Sequence, residues 1–249
     1  MNTNLIRTTL KTAVAGVLLA GLSVSAQVGG GGAPGGMSAA LIKLFGDNTA
    51  FSAKVEVQVL DGSQQELANV PMEFALLDQK VRMDIDLTKM KNKQMPPGAA
   101  ESLKQMGMAQ VVNIMRPDKK LVYSVYPNMK AVLSQPLPGG GTEPKIEKTE
   151  LGKETVDGHP CVKNKHVLTD AQGKKTEATT WNATDLKNFP LQIQTKDDEN
   201  TSTLKFKQVQ LTKPDEKLFD PPADYTKYTN AADLQQAVMK KMMEAAPPK

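Results

Sequence analysis

Apolar residues recur at every second position from residue 51, where Phe51, Ala53, Val55, Val57 and Val59 alternate with Ser52, Lys54, Glu56 and Gln58. A period of two marks a strand with one buried face, and this one ends at the Asp61-Gly62 turn pair. The same period predicts a second strand from Val70, with Met72, Phe74 and Leu76 on one face. A third strand places Val81, Met83, Ile85 and Leu87 inward and Arg82, Asp84 and Asp86 outward. The short Asp78-Gln79-Lys80 connection makes these two an antiparallel hairpin.

Strands resume at residues 111–115, turn at Arg116-Pro117-Asp118-Lys119, return over 121–126, turn again at Pro127-Asn128 and run over 129–133. Val111-Val112 and Leu121-Val122-Tyr123 are apolar at both parities, so this meander needs cover on both faces. Residues 136–144 (PLPGGGTEP) divide the chain into halves. Further strands are predicted at 146–151, 161–168, 176–181, 191–194 and 204–211. In the last, Leu204 and Phe206 share a parity that Val209 and Leu211 lack, which predicts a bulge near Lys207-Gln208.

A period near 3.6 appears in three places. Residues 39–45 form a short helix capped by Ser38, and residues 97–108 form a helix opened by Pro97. Residues 230–246 form another, with Leu234, Val238, Met242 and Met239 as its stripe. The pattern therefore predicts a mainly β, α+β fold: a curved antiparallel sheet or unclosed β-barrel with helices covering the concave face. A closed small barrel or a sandwich is the alternative. The divisions expected are a signal peptide (1–26), a Gly-rich linker (27–38), a β-rich domain (39–229) and a C-terminal helix and tail (230–249).

Composition narrows the function. Arg7 and Lys11, the apolar run 13–22 and Val24-Ser25-Ala26 read as a secretory signal, and a run of about ten residues is half of what a membrane span requires. No transmembrane segment is expected, and no cysteine follows the run to be acylated. The mature chain is expected in the periplasm, or else secreted. Removing that segment lowers the basic count from 31 to 29 against 27 acidic residues. A balance near +2 with interspersed signs excludes an evident nucleic-acid binder. Cys161 is the only cysteine, so no disulfide within the chain is available.

Catalytic chemistry would have to concentrate in residues 150–168, which hold His159, Cys161 and His166. His159 and Cys161 share strand parity, but His166 faces away from both, so a tetrahedral metal site and a Cys-His nucleophile are both poorly served. Cys161 reads as a structural thiol, and Asp197-Asp198 as a solvated turn. Neither an enzyme nor a cofactor is expected. The aromatic share is only 4%, whereas methionine numbers 13. Methionine lines adaptable apolar surfaces, and Met72, Met83, Ile85, Met106, Met115 and Tyr123 are the candidate lining of a greasy cavity. Arg82 is the candidate contact for a lipid headgroup. Arg116 is the only other arginine beyond residue 26.

The segments NIMRPDKKLVYSVYPNMKAVL, FSAKVEVQV, PMEFALLDQKVRMDID and KLFDPPADY resemble, in that arrangement, the LolA/LolB-like superfamily of outer-membrane lipoprotein carriers. GKETVDGHPCVKNKHV with WNATDLKNFPLQIQ is similar to an exported bacterial family of that shape without an assigned function. The resemblance spans most of residues 51–228. It implies an unclosed barrel whose helices plug a hydrophobic cavity, and a periplasmic, non-enzymatic binding or carrier protein for a lipid or other hydrophobic ligand. The alternative is an envelope structural or sensory module that binds a protein partner.

Overall fold

The computed structural model describes residues 39–93, 95–137, 145–169, 173, 175–196 and 199–244. The expected signal and linker, the Asp197-Asp198 turn and residues 138–144 lie outside the described residues. Among the described residues no helix is long and apolar enough to cross a membrane.

One thirteen-stranded sheet organises the molecule. Its strands are β1 (Ala50–Asp61), β2 (Glu66–Leu77), β3 (Lys80–Asp86), β4 (Lys91–Asn92), β5 (Gln110–Arg116), β6 (Leu121–Tyr126) and β7 (Ala131–Pro136), followed by β8 (Lys145–Val156), β9 (His159–Thr169), β10 (Lys175–Ala183), β11 (Phe189–Lys196), β12 (Asn200–Gln210) and β13 (Thr226–Tyr228). The order across it is β13-β7-β6-β5-β3-β2-β1-β12-β11-β10-β9-β8, with β4 continuing beside β2 where β3 ends. Two antiparallel meanders thus meet where the first strand pairs with the twelfth. The edge strands β8 and β13 do not pair with each other, so the sheet curves without closing.

Local chemistry explains the turns. Asp78 and Gln79 both take positive φ (47° and 71°), as do Asp157 and Gly158 (49° and 84°), and two left-handed residues in succession match a hairpin to the strand twist. Pro117 and Pro127 each open a single 3-10 turn that Lys120 and Lys130 close with φ of 56° and 48°. Gln208 has a φ of 50°, and the register between β1 and β12 shifts beside it, which is the predicted bulge. β8 extends beyond its predicted 146–151 because it is an edge strand. Its Glu, Lys and Thr residues are largely exposed, and such a strand carries little apolar period to read.

Among the described residues three helices cover the concave side: α1 (Ala39–Ile42, continued as a 3-10 turn through Phe45), α2 (Ala99–Gln105) and α3 (Ala231–Glu244). α2 is shorter than its predicted 97–108 span because Gly107 turns left-handed, with a φ of 72°. The Met108 N–H then closes on the Leu103 carbonyl at 2.8 Å. Leu41, Leu44, Phe45, Leu103, Leu234 and Val238 all join the main core. Met239, placed by pattern on the buried stripe of α3, is instead exposed.

The chain's six phenylalanines divide five to one. Phe45, Phe51, Phe74, Phe189 and Phe206 pack together on the concave side, with ring centroids 4.7 to 6.4 Å apart. Phe219 lies on the convex side with Ala75, Leu77, Val112, Ile114, Val125 and Val132. This second, smaller cluster is the cover that the doubly apolar meander requires. The 3-10 segment Glu216–Phe219 supplies it.

Candidate functional site

The concave face is the candidate site, and strand pairing arranges it in rows. Leu76, Val81, Met115 and Val122 are successive partners across four strands; Phe74, Met83, Asn113, Ser124 and Leu133 form the next row. Met72, Ile85 and Val111 form a third. Met83, Ile85, Met106 and Met115 are buried in the main core, and Met72 packs against it half-buried. Met106 and Met108 follow α2, so methionines of the sheet and of its cover meet in one cluster.

Two of the residues expected beside them face elsewhere. Arg82 alternates with Met83 and therefore lies on the convex face. Its Nε and Nη2 donate to the Asp84 carboxylate at 2.7 and 2.8 Å, and Nη1 donates to the Leu218 carbonyl at 2.8 Å. Tyr123 is paired with Ile114 and packs on the Phe219 cluster. Neither side chain reaches the methionine cluster, because a period of two sends neighbours to opposite faces. Arg116 behaves like Arg82: it holds Asp118, Asp220 and the Phe219 carbonyl. Both arginines fasten the convex cover.

The second half of the sheet holds a feature that the sequence reading missed. One row runs Val70, Val57, Leu204, Ile193, Thr180 and Asn164 across β2, β1, β12, β11, β10 and β9, changing from apolar to polar. His166 lies two positions from Asn164, on the same face. Asn164 is 1% exposed, His166 7% and Thr180 0%. A chain of hydrogen bonds fixes their polarity. The Asn182 side-chain amide donates to the Asn188 carbonyl at 2.9 Å, which turns its Oδ1 back toward the sheet. That oxygen accepts from Asn164 Nδ2 at 3.0 Å and from the Thr180 hydroxyl at 2.5 Å. With its proton so committed, Thr180 Oγ1 accepts from His166 Nε2 at 3.0 Å. His166 is therefore the Nε2–H tautomer, and Nδ1 is an acceptor.

Asn164 Oδ1 and His166 Nδ1 are buried without a partner among the described residues. An unmet buried acceptor costs roughly 1–3 kcal/mol, so two on one face are an exception that calls for a reason. Burial, with Lys148 adding to it, pushes the His166 imidazole below its ordinary pKa, so the ring is held neutral. A sequence signal existed: on the strand face that begins at Val162 and ends at Leu168 the alternate positions Asn164 and His166 are polar, and Thr180 and Asn182 follow Ala178 at the same spacing on the next strand.

His159 and Cys161 do not form a nucleophilic pair. The His159 ring meets Asp185 at 2.8 Å, whereas the Cys161 thiol donates to the His159 main-chain carbonyl at 3.5 Å. Burial pushes that thiol's pKa up, away from thiolate. Among the described residues no three His, Cys, Asp or Glu side chains are grouped as metal ligands.

No known family profile matches the chain, and no curated protein does. Among solved structures the chain is similar to the lipoprotein LppX of Mycobacterium tuberculosis, at 12% identity over 68% of this chain and 92% of that one, with a TM-score of 0.37. It is similar to a LolA superfamily protein of Nitrosomonas europaea, at 9% identity over 72% and 93%, TM-score 0.37. It is also similar to LprF of Mycobacterium bovis, at 12% identity over 70% and 93%, TM-score 0.37. At these scores the matches align no side chain of the site, and the fold stands on its own hydrogen-bonded strand order.

Proposed function

We propose that the protein is a non-enzymatic, periplasmic binding or carrier protein for a lipid or other hydrophobic ligand. One observation supports this reading above the others: the apolar cluster continues along the concave face from β5 to β11 beneath short helices, in a sheet that does not close. The five phenylalanines form its rigid part, and Met72, Met83, Met106, Met108 and Met115 its deformable part. With the concave face packed, a ligand gains volume by displacing the cover. α2 has only seven residues and buries Ala99 and Leu103, so its displacement exposes little apolar surface. Met72, Met83, Ile85, Met106 and Met115 remain the proposed lining, whereas Arg82 and Tyr123 do not. Native mass spectrometry of gently purified protein, with a delipidated control, tests the reading. Bound lipid and saturable displacement of a fluorescent fatty-acid probe are expected; finding neither rejects it.

A second reading, as an envelope module that binds a protein partner, has its own support in α3. Met239 (47% exposed) and Met243 (77%) flank, with Gln236 and Lys240, a surface depression of about 470 Å³. Deleting α3 is an unsuitable test because Leu234 and Val238 belong to the core. The double substitution Met239→Glu, Met243→Glu should leave the denaturation midpoint unchanged and remove crosslinks to a partner; unchanged crosslinks reject this reading.

A further inference from the structure

We infer that Asn164 Oδ1 and His166 Nδ1 form the headgroup subsite of the concave face, taking the two hydroxyl protons of a neutral diol head such as that of a monoacylglycerol. This rests on the carrier reading above and specifies the ligand's polar end. The direction of the hydrogen bonds sets the polarity of this subsite. Because Asn182 is anchored through its nitrogen on the Asn188 carbonyl, the protons of Asn164 Nδ2 (to Asn182 Oδ1 and the Val162 carbonyl), the Thr180 hydroxyl and His166 Nε2 are all committed. Among the described residues the buried polar atoms left without a partner are these two acceptors, with no buried donor beside them.

That polarity selects the ligand's chemistry. A carboxylate or phosphate brings only acceptors and would face two lone pairs in a desolvated site. Lys148 pairs with His166 and Glu150 pairs with Asn164 on β8, so charges of both signs edge this face, and a neutral head meets repulsion from neither. A methyl ester or a hydrocarbon leaves both acceptors unmet. A neutral group with two donors satisfies both. Alternate residues on a strand face stand about 6.5–7 Å apart, a gap that two adjacent hydroxyls bridge with one hydrogen bond each.

The position fits an amphipathic molecule. From Asn164 the row continues through Thr180, Ile193 and Leu204 to Val57 and Val70. Asn164 on β9 and Val57 on β1 are four strand spacings apart, about 19 Å, which is the scale of a long acyl chain. The tail would then point toward Met72, in the deformable part of the face. A resident water that donates to both acceptors is the competing occupant.

The test compares 1-monooleoylglycerol with methyl oleate, which has the same chain and no donor, on the full mature protein by titration calorimetry. The diol head should bind about tenfold more tightly or better. That preference should fall to near parity in Asn164→Leu and in His166→Phe. Because either variant could unfold, the unmodified protein supplies an independent readout: the His166 Nδ1 resonance in ¹⁵N NMR should move on adding monooleoylglycerol and stay in place with methyl oleate. If both lipids bind equally and the resonance does not move, water serves the acceptors; the headgroup inference then fails while the carrier reading stands. If neither lipid binds, both fail.

Discussion

Arg116 donates through Nη1 to the Phe219 carbonyl at 3.1 Å, across 103 positions of sequence. The same guanidinium pairs with Asp118 at 2.8 Å and with Asp220, and those carboxylates push its pKa upward despite its burial. A charged group within the structure thus holds the segment that covers the convex face. Phe219→Ala should cost about 3–5 kcal/mol, read as a lower urea midpoint. Binding of apolar probes by the still-folded fraction should not change, because Phe219 and the methionine cluster lie on opposite faces. A proportionate loss of probe affinity would contradict that separation.

Acid should weaken this anchor within a defined window. The hydrogen bond from Arg116 holds the Asp118 pKa down at about 2. A carboxylate whose folded pKa lies below its unfolded value, about 3.9, contributes stability above that value and loses it as pH falls through the folded pKa. Asp118→Asn should therefore lower the urea midpoint at pH 6, with the difference shrinking between about pH 4 and pH 2. Since half of the Asp118 side chain meets solvent, the effect is modest. A difference that stays constant over the window contradicts the assignment.

His166 titrates in a separate window with the same sign. Its folded pKa is depressed by burial first and Lys148 second. The unfolded chain binds that proton near pH 6.5, so stability is complete above that value and declines on acidification below it. Side-chain ¹⁵N spectra at pH 7 should show a neutral ring protonated at Nε2. An Nδ1–H tautomer would overturn the hydrogen-bond directions around Asn182.

Two left-handed glycines should respond differently to a methyl group. At Gly158 an added Cβ meets nothing within 4 Å, so Gly158→Ala should cost only the backbone penalty, roughly 1–2 kcal/mol. At Gly107 the same Cβ would lie 3.0 Å from Met129 Cγ and 3.5 Å from the Asn128 carbonyl. Gly107→Ala should cost more, and equal losses by chemical denaturation would show that Met129 gives way freely.

Features that depend on neighbours along the chain were legible before folding. Period two located most of the strands, the short Asp78-Gln79-Lys80 connection located a hairpin, and the parity change after Phe206 located the bulge at Gln208, because side-chain alternation is a local rule. The same parity separates Met83 from Arg82 by face, and it turns Arg82 away from the concave face where a headgroup contact is needed. Only the tertiary structure decided what meets across strands distant in sequence. Strand β1 pairs with β12, so Val57 and Leu204 continue a row that ends at Asn164. Leu218 and Phe219 lie on the convex face, so both arginines are committed there. The two acceptors on β9 are left unmet because Asn182, 18 positions from Asn164, is turned by its bond to the Asn188 carbonyl, and Asn164 Nδ2 is held by Asn182 and by the Val162 carbonyl. Hydrogen-bond direction is a property of the assembled network, and alternation along one strand carries no record of it.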